Sequence, residues 1–228
     1  MTPLTAFFDA MLPFLHCELR ATEVTARLGA SPSGEGRLAL YQTLIWRERT
    51  SVLRLLYPAT RRLANDVDPE LWDLFEREHL SLHKSTFWEP NRVGESFPDL
   101  VEELCRDAEL GALPELADYE WVRFFVAAGW GERVHFRSYD HDVPAFLAAL
   151  EDIPEGEPLP RPNRVAVVVA VHMIEGHRIA VTRLAAPELA AIARRRGLPA
   201  PTRDLAESAI RQADEWLTRR GVLPEPSG

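Results

Sequence analysis

The chain has 228 residues, 46% of them apolar and 9% aromatic, enough to bury an ordinary core in one large domain or two small ones. Its 26 basic residues face 35 acidic ones, a net charge of -9, which disfavours DNA as a partner unless the cations are gathered on one surface. Two distant cysteines, Cys17 and Cys105, exclude a disulfide framework or a thiolate metal site, and no apolar run reaches the ~20 residues of a membrane span.

The opening residues, Met1-Thr2-Pro3-Leu4, lack the basic start and apolar stretch of a secretory signal, so residence in the cytoplasm is expected. From Thr5 to Leu19, the spacing of Phe7, Phe8, Met11, Leu12, Phe14, Leu15 and Leu19 predicts an amphipathic helix, kinked or split at Pro13. A turn-rich stretch from Gly29 to Gly36 leads into a helix from about Arg37 to Tyr57. Its inner face is expected to be Leu38, Tyr41, Leu44, Ile45, Val52, Leu55 and Leu56. Pro58 interrupts it, and a short helical turn through Leu63 follows.

Asp68-Pro69-Glu70 has the order of a helix start: a capping acid, proline in the first turn, then another acid near the positive end. That helix should reach about His83. The stretch from Lys84 to Glu95 reads as irregular. Ser96 can cap a helix whose Phe97, Leu100, Val101 and Leu104 follow the helical period. Leu113 to Ala128 repeats the period with Leu113, Leu116, Ala117, Trp121, Phe124 and Phe125.

Between Gly129 and Asn163 the periodicity fails, and Pro154, Pro158, Pro160 and Pro162 crowd its end. Beyond it, the valine-rich Arg164 to Met173 reads as a buried strand. Glu175-Gly176 is a turn, and His177 to Leu184 the antiparallel return. Two helices, Pro187 to Arg196 and Thr202 to Arg220, complete the chain. The expected fold class is therefore α+β, mainly α: a helical domain over 1–130, an irregular Pro-rich linker over 131–163, and a small domain over 164–228 made of a β-hairpin and helices.

Residues that could carry chemistry are few. His79 and His83 have the spacing of two metal ligands on one helix face, with Glu76 a possible third. Leu80 stands where a zinc protease needs glutamate, so a histidine pair near a helix end is the simpler reading. His135, Asp140, His141 and Asp142 could serve general base work, yet no nucleophile stands near. No catalytic residue, metal ligand or cofactor is assigned. Glu120 lies among Leu116, Ala117, Trp121 and Phe124; a buried carboxylate needs a partner, and of Arg37, Arg47, Arg61 and Arg62 the last two are the expected ones for an inter-helix ion pair. Arg194-Arg195-Arg196 and Arg219-Arg220 stand in last helical turns, where cations complement the dipole. The alternative is a DNA-reading helix pair in a transcriptional regulator, although the second helix carries Asp204, Glu207, Asp214 and Glu215.

The order of five blocks resembles a bacterial family labelled as a DNA-binding domain, which includes HvfC-like and MbnC-like partner proteins. The blocks are Arg37 to Tyr41, Leu56-Tyr57-Pro58-Ala59-Thr60-Arg61-Arg62-Leu63, Glu78 to His83, Gly94 to Leu100, and Leu113 to Trp121. Gln42-Thr43-Leu44 departs from the family, which often continues with arginine and asparagines. The resemblance implies a non-catalytic adaptor paired with a multinuclear iron oxygenase of barrel fold that modifies a ribosomal precursor peptide. The metal and the catalysis then belong to the enzyme. A hairpin edge offers main-chain groups to an extended peptide. The expected peptide site is thus the edge of 165–173 or 177–184, with Arg178 and Arg183 meeting acidic side chains. The loop residues Trp88, Asn91 and Arg92 are the expected contacts to the enzyme.

Overall fold

The computed structural model describes residues 3–16, 18–30, 32, 34–82, 90–106, 110–174, 178–199 and 205–225. The fold is mainly helical α+β and divides into two compact units, Met1–Ala117 and Asp118–Gly228. No described helix is long and apolar enough to cross a membrane.

The first unit contains α1 (Pro3–Leu15), α2 (Ala21–Leu28), α3 (Glu35–Leu56), α4 (Pro58–Val67), α5 (Leu71–Leu82), a 3-10 turn (Pro90–Gly94) and α6 (Phe97–Cys105). Pro13 neither splits nor ends α1 prematurely, for α1 runs through it to Leu15. The short, polar α2 has only Ala21 and Val24 buried, too weak an apolar signal to read from the sequence; Glu23 reaches back to accept from the Arg20 N–H at 2.7 Å. Phe14, Leu19, Ala21 and Val24 form a small core with Met11 and Leu38 against it. Gln42, at the departure from the family pattern, donates from Nε2 to the Leu19 carbonyl at 2.7 Å and so ties α3 to the end of this layer.

Pro58 starts a new helix, as proline in a first turn allows, and Asp68 caps the entry to α5 by accepting from the Glu70 N–H at 2.8 Å. Ser96 precedes α6, but its side chain makes no capping bond. The main core of this unit gathers on Phe97, whose ring lies 4.5 Å from Tyr57, 5.4 Å from Trp72, 6.4 Å from Phe75 and 5.3 Å from His79. Tyr57 also donates to the Gly94 carbonyl at 2.6 Å. A Cβ at Gly94 would stand 2.6 Å from Leu56 Cδ1 and 3.2 Å from the Tyr57 ring, so a larger residue here has to displace the Leu56 side chain. The inner face of α3 differs from the periodic reading: Val52, Leu53 and Leu56 are buried, while Tyr41, Leu44 and Leu55 are exposed.

The helix α7 (Ala112–Ala127) runs across the boundary between the units. The second unit continues with β1 (Val134–Tyr139), α8 (Val143–Leu150), β2 (Val167–Ile174), β3 (Arg178–Arg183), α9 (Ala186–Arg195) and α10 (Glu207–Arg219). The stretch 131–163 is therefore not a bare linker: it holds β1 and α8. Six residues of β1 give little local periodicity, and their strand conformation is fixed by pairing with β2 some thirty residues on, with Tyr139 opposite Val167 and Val134 opposite His172.

The expected hairpin is thus a three-stranded antiparallel sheet in the order β1-β2-β3. The pleat places Val134, Phe136, Val168, Ala170, His172, Arg178, Ala180 and Thr182 on one face. Several of these pack with Ile192, Ala213, Leu217, Val222 and Leu223 of α9, α10 and the tail. Gly221, at φ 74°, turns the chain after α10 so that Val222 and Leu223 can enter this core. On the opposite face Arg137 and Tyr139 both bond Asp118, at 2.9 and 2.8 Å. Burial first, and then the Asp118 carboxylate, push the Tyr139 hydroxyl far above its ordinary pKa, so it stays a donor.

Candidate functional site

The sheet order decides which strand can take a guest. β2 has neighbours on both sides, so the edge expected over 165–173 does not exist; the unpaired edges belong to β1 and β3. Leu184 N donates to Val168 O at 2.8 Å, which makes 168/184 a hydrogen-bonded pair. By alternation Thr182 and Ala180 also face β2, and Ile179, Val181 and Arg183 turn their N–H and C=O groups outward. On the β1 side, Phe136 O already accepts from Arg137 Nη1 at 3.1 Å. β3 is the more open edge.

Arg178 and Arg183 lie on opposite faces of β3, because they stand five positions apart in a strand of period two. Arg183 is committed elsewhere. Its Nη2 lies 2.6 Å from Oδ1 of Asp142, and the same oxygen caps α8 by accepting from Ala145 N. The two arginines cannot grip one side of a peptide together. Arg178 instead shares a hollow with a different set of cations.

That hollow, of about 800 Å³, is lined by Arg133, Val134, His172, Ile174, Arg178, Ala180, Arg219, Arg220, Leu223 and Glu225, among others. A second hollow, of about 490 Å³, adjoins it through Arg133, Val134 and Val222 to Glu225, and adds Glu132, Phe136, Arg195 and Arg196. Arg194 is paired with Glu207, and Arg195 makes a bidentate contact with Asp214, both bonds at 2.6 Å, which holds the Asp214 carboxyl below its ordinary pKa. Glu207 and Asp214 of α10 thus tie α9 and α10 together. Arg196 stacks over Phe136 at 4.7 Å and Arg220 over Trp216 at 4.4 Å, which holds these two guanidiniums against the sheet and helix.

His172 borders the larger hollow and is 1% exposed. Its Nε2 lies 3.1 Å from Thr182 Oγ1, and among the described residues its Nδ1 meets no hydrogen-bond partner. Burial first, and then the Arg220 guanidinium, lower its pKa below the ordinary imidazole value. The unfolded chain therefore takes up this proton at higher pH than the folded one. The associated stability is present above the ordinary imidazole pKa and lost as pH falls through the lowered one. Between about pH 8 and about pH 5, His172→Gln is expected to show a shallower loss of thermal stability than the parent; equal slopes in thermal unfolding would refute this assignment.

The other expected residues are placed as follows. His79 is a core histidine: Nε2 meets the Val93 carbonyl at 2.5 Å and the ring packs edge-on against Phe97. Glu76 is not available as a metal ligand, since it accepts from Trp72 Nε1 and from Arg54 Nε and Nη2. His83 and Trp88 lie outside the described residues. Among the described residues no group of three His, Cys, Asp or Glu side chains comes together to hold a metal. His135 Nε2 lies 3.0 Å from the Glu132 carbonyl, apart from Asp142 with its capping role. Asn91 is exposed in the 3-10 turn, whereas Arg92 is half-buried and paired with Glu95 at 3.6 Å. Glu120 is buried, as its apolar neighbours imply; it belongs to the second unit and the half-buried Arg61 and Arg62 to the first, so their pairing stays an expectation.

Two features were hidden in the sequence reading. One is His172, whose only local signal is a polar residue inside the apolar run Val167 to Ile174. The other is the outer face of the helical unit. Leu4, Phe8, Leu12 and Leu15 form an exposed stripe along α1, and Leu40, Tyr41 and Leu44 are exposed on α3. Compared with known proteins, the chain matches no protein-family model and no curated protein.

Proposed function

We propose that this chain is a non-catalytic adaptor that holds a partner enzyme on its helical unit and an extended peptide on its sheet. The open β3 edge carries the reading: Ile179, Val181 and Arg183 present unused main-chain donors and acceptors on a strand backed by a packed sheet. A second observation supports the enzyme-facing half. α1 is apolar on two sides, with Ala10 and Phe14 buried and Leu4, Phe8, Leu12 and Leu15 exposed, so one apolar side is left for a partner. The resemblance in the helical blocks supplies the identity of the partners: a multinuclear iron oxygenase of barrel fold and its ribosomal precursor peptide, in the bacterial cytoplasm.

Co-expression with an iron oxygenase and precursor peptide encoded beside the gene is the test. The three should co-purify. Val181→Pro removes an outward N–H while sparing the β2 ladder, and is expected to release the peptide but keep the enzyme. Phe8→Glu with Tyr41→Glu should do the reverse, with thermal stability little changed. Peptide retention by the proline variant at parental affinity, or turnover by the lone chain, would sink the reading.

A further inference from the structure

We propose that the hollow beside β3 is a binding site for carboxylates carried at alternate positions of an extended acidic peptide. It rests on the peptide-binding reading for the nature of its ligand, but on separate observations for the site. Arg133, Arg178, Arg219 and Arg220 converge there from β1's approach, β3 and the end of α10, against Glu225 as the one carboxylate among the described lining residues. Among the described residues none of the four is ion-paired to a carboxylate, whereas the neighbouring Arg194 and Arg195 are. Four guanidiniums against one carboxylate among the described lining residues, in a chain of net charge -9, are a local reversal of sign that favours an anion.

The floor gives the second observation. His172 is buried, borders the hollow, and has an Nδ1 without a hydrogen-bond partner among the described residues. Planar guanidinium forks suit carboxylates, which they bind through paired N–H donors. The end of α10 itself carries carbonyl oxygens that repel an anion, so the attraction must come from the arginines and not from the helix.

Geometry then sets the spacing. Arg178 and Ala180 share one face of β3 with the hollow. A strand added along β3 turns every second side chain to that same face. Acids at every second position would therefore turn to the face that carries Arg178 and the hollow, and the residues between them to the other face.

Two synthetic hexapeptides separate the possibilities in calorimetric titrations of the full chain: one alternating valine with glutamate, one alternating valine with glutamine. The acidic peptide is expected to bind, and its affinity to fall about tenfold for each of Arg178→Ser and Arg219→Ser. Arg178 is exposed on an edge strand and Arg219 makes only a long bond to a backbone carbonyl, so both variants should fold; parental melting temperatures check this. Equal binding of the glutamine peptide, or unchanged affinity in both serine variants, overturns the carboxylate site while leaving β3 addition standing. An acidic peptide with alternate N-methylated amides tests the edge by itself. Inorganic phosphate and single-stranded DNA complete the set: binding of either with no binding of the acidic peptide overturns the proposal, as does no binding at all.

Discussion

Phe97→Ala is expected to destabilise the helical unit by about 4 kcal/mol, through the lost burial of a large ring and the cavity left behind. Phe97 has no exposed surface, and four rings surround it: Tyr57 from the end of α3, Trp72, Phe75 and His79 from α5. The site collapses poorly because its walls are themselves fixed. Tyr57 is bonded to the Gly94 carbonyl and His79 to the Val93 carbonyl, so neither ring can follow the vacated space without breaking a buried hydrogen bond. Phe97→Leu should cost less than half as much. Denaturant unfolding with hydrogen exchange read over α4 to α6 checks this; exchange protection unchanged in the alanine variant would show that the cluster does not hold the unit together.

Glu76→Ala should cost about 3 kcal/mol, by a different mechanism. The carboxylate is buried and has three donors: Trp72 Nε1 at 2.6 Å, Arg54 Nε at 2.6 Å and Arg54 Nη2 at 2.8 Å. Its removal leaves the Trp72 N–H buried without a partner. Arg54 is about half exposed and can turn to water, so the indole N–H carries most of the penalty. Glu76→Gln keeps one acceptor oxygen and should recover part of the loss. The same denaturation curves decide it. If Arg54→Met costs as much as Glu76→Ala, the ion pair rather than the indole bond is the dominant contact.

Phe97 also joins helical segments that lie far apart in the chain. Leu56-Tyr57-Pro58 and Gly94 to Phe97 are distant in the chain, yet Tyr57, Gly94 and Phe97 form one contact, and His79 supplies its edge. Each block alone is a short apolar pattern. Packed together they make one core, and a change in any of them is felt by the others.

Local chemistry was enough to read most helices. Capping acids, prolines in first turns and glycines past the ends mark where α4, α5, α9 and α10 begin or stop, and these signals act within a single turn. The valine run of β2 and the alternation of β3 were equally legible. Periodicity misjudged the faces of α1 and α3, because it reports which side of a helix is apolar and not whether a neighbour covers it: Phe8, Leu12, Tyr41 and Leu44 fit an inner face and remain exposed.

Sequence therefore determined the helical character, the strand pair and the acidic balance, since all three follow from propensity, spacing and counting. Tertiary structure alone decided the third strand, the edge that is free, and the gathering of Arg133, Arg178, Arg219 and Arg220 about His172. Register across an antiparallel sheet and the end of a packed helix bring together residues far apart in the chain. A long-range pairing leaves no mark on the local pattern of either segment, because the free energy that selects it exists only once both are in place.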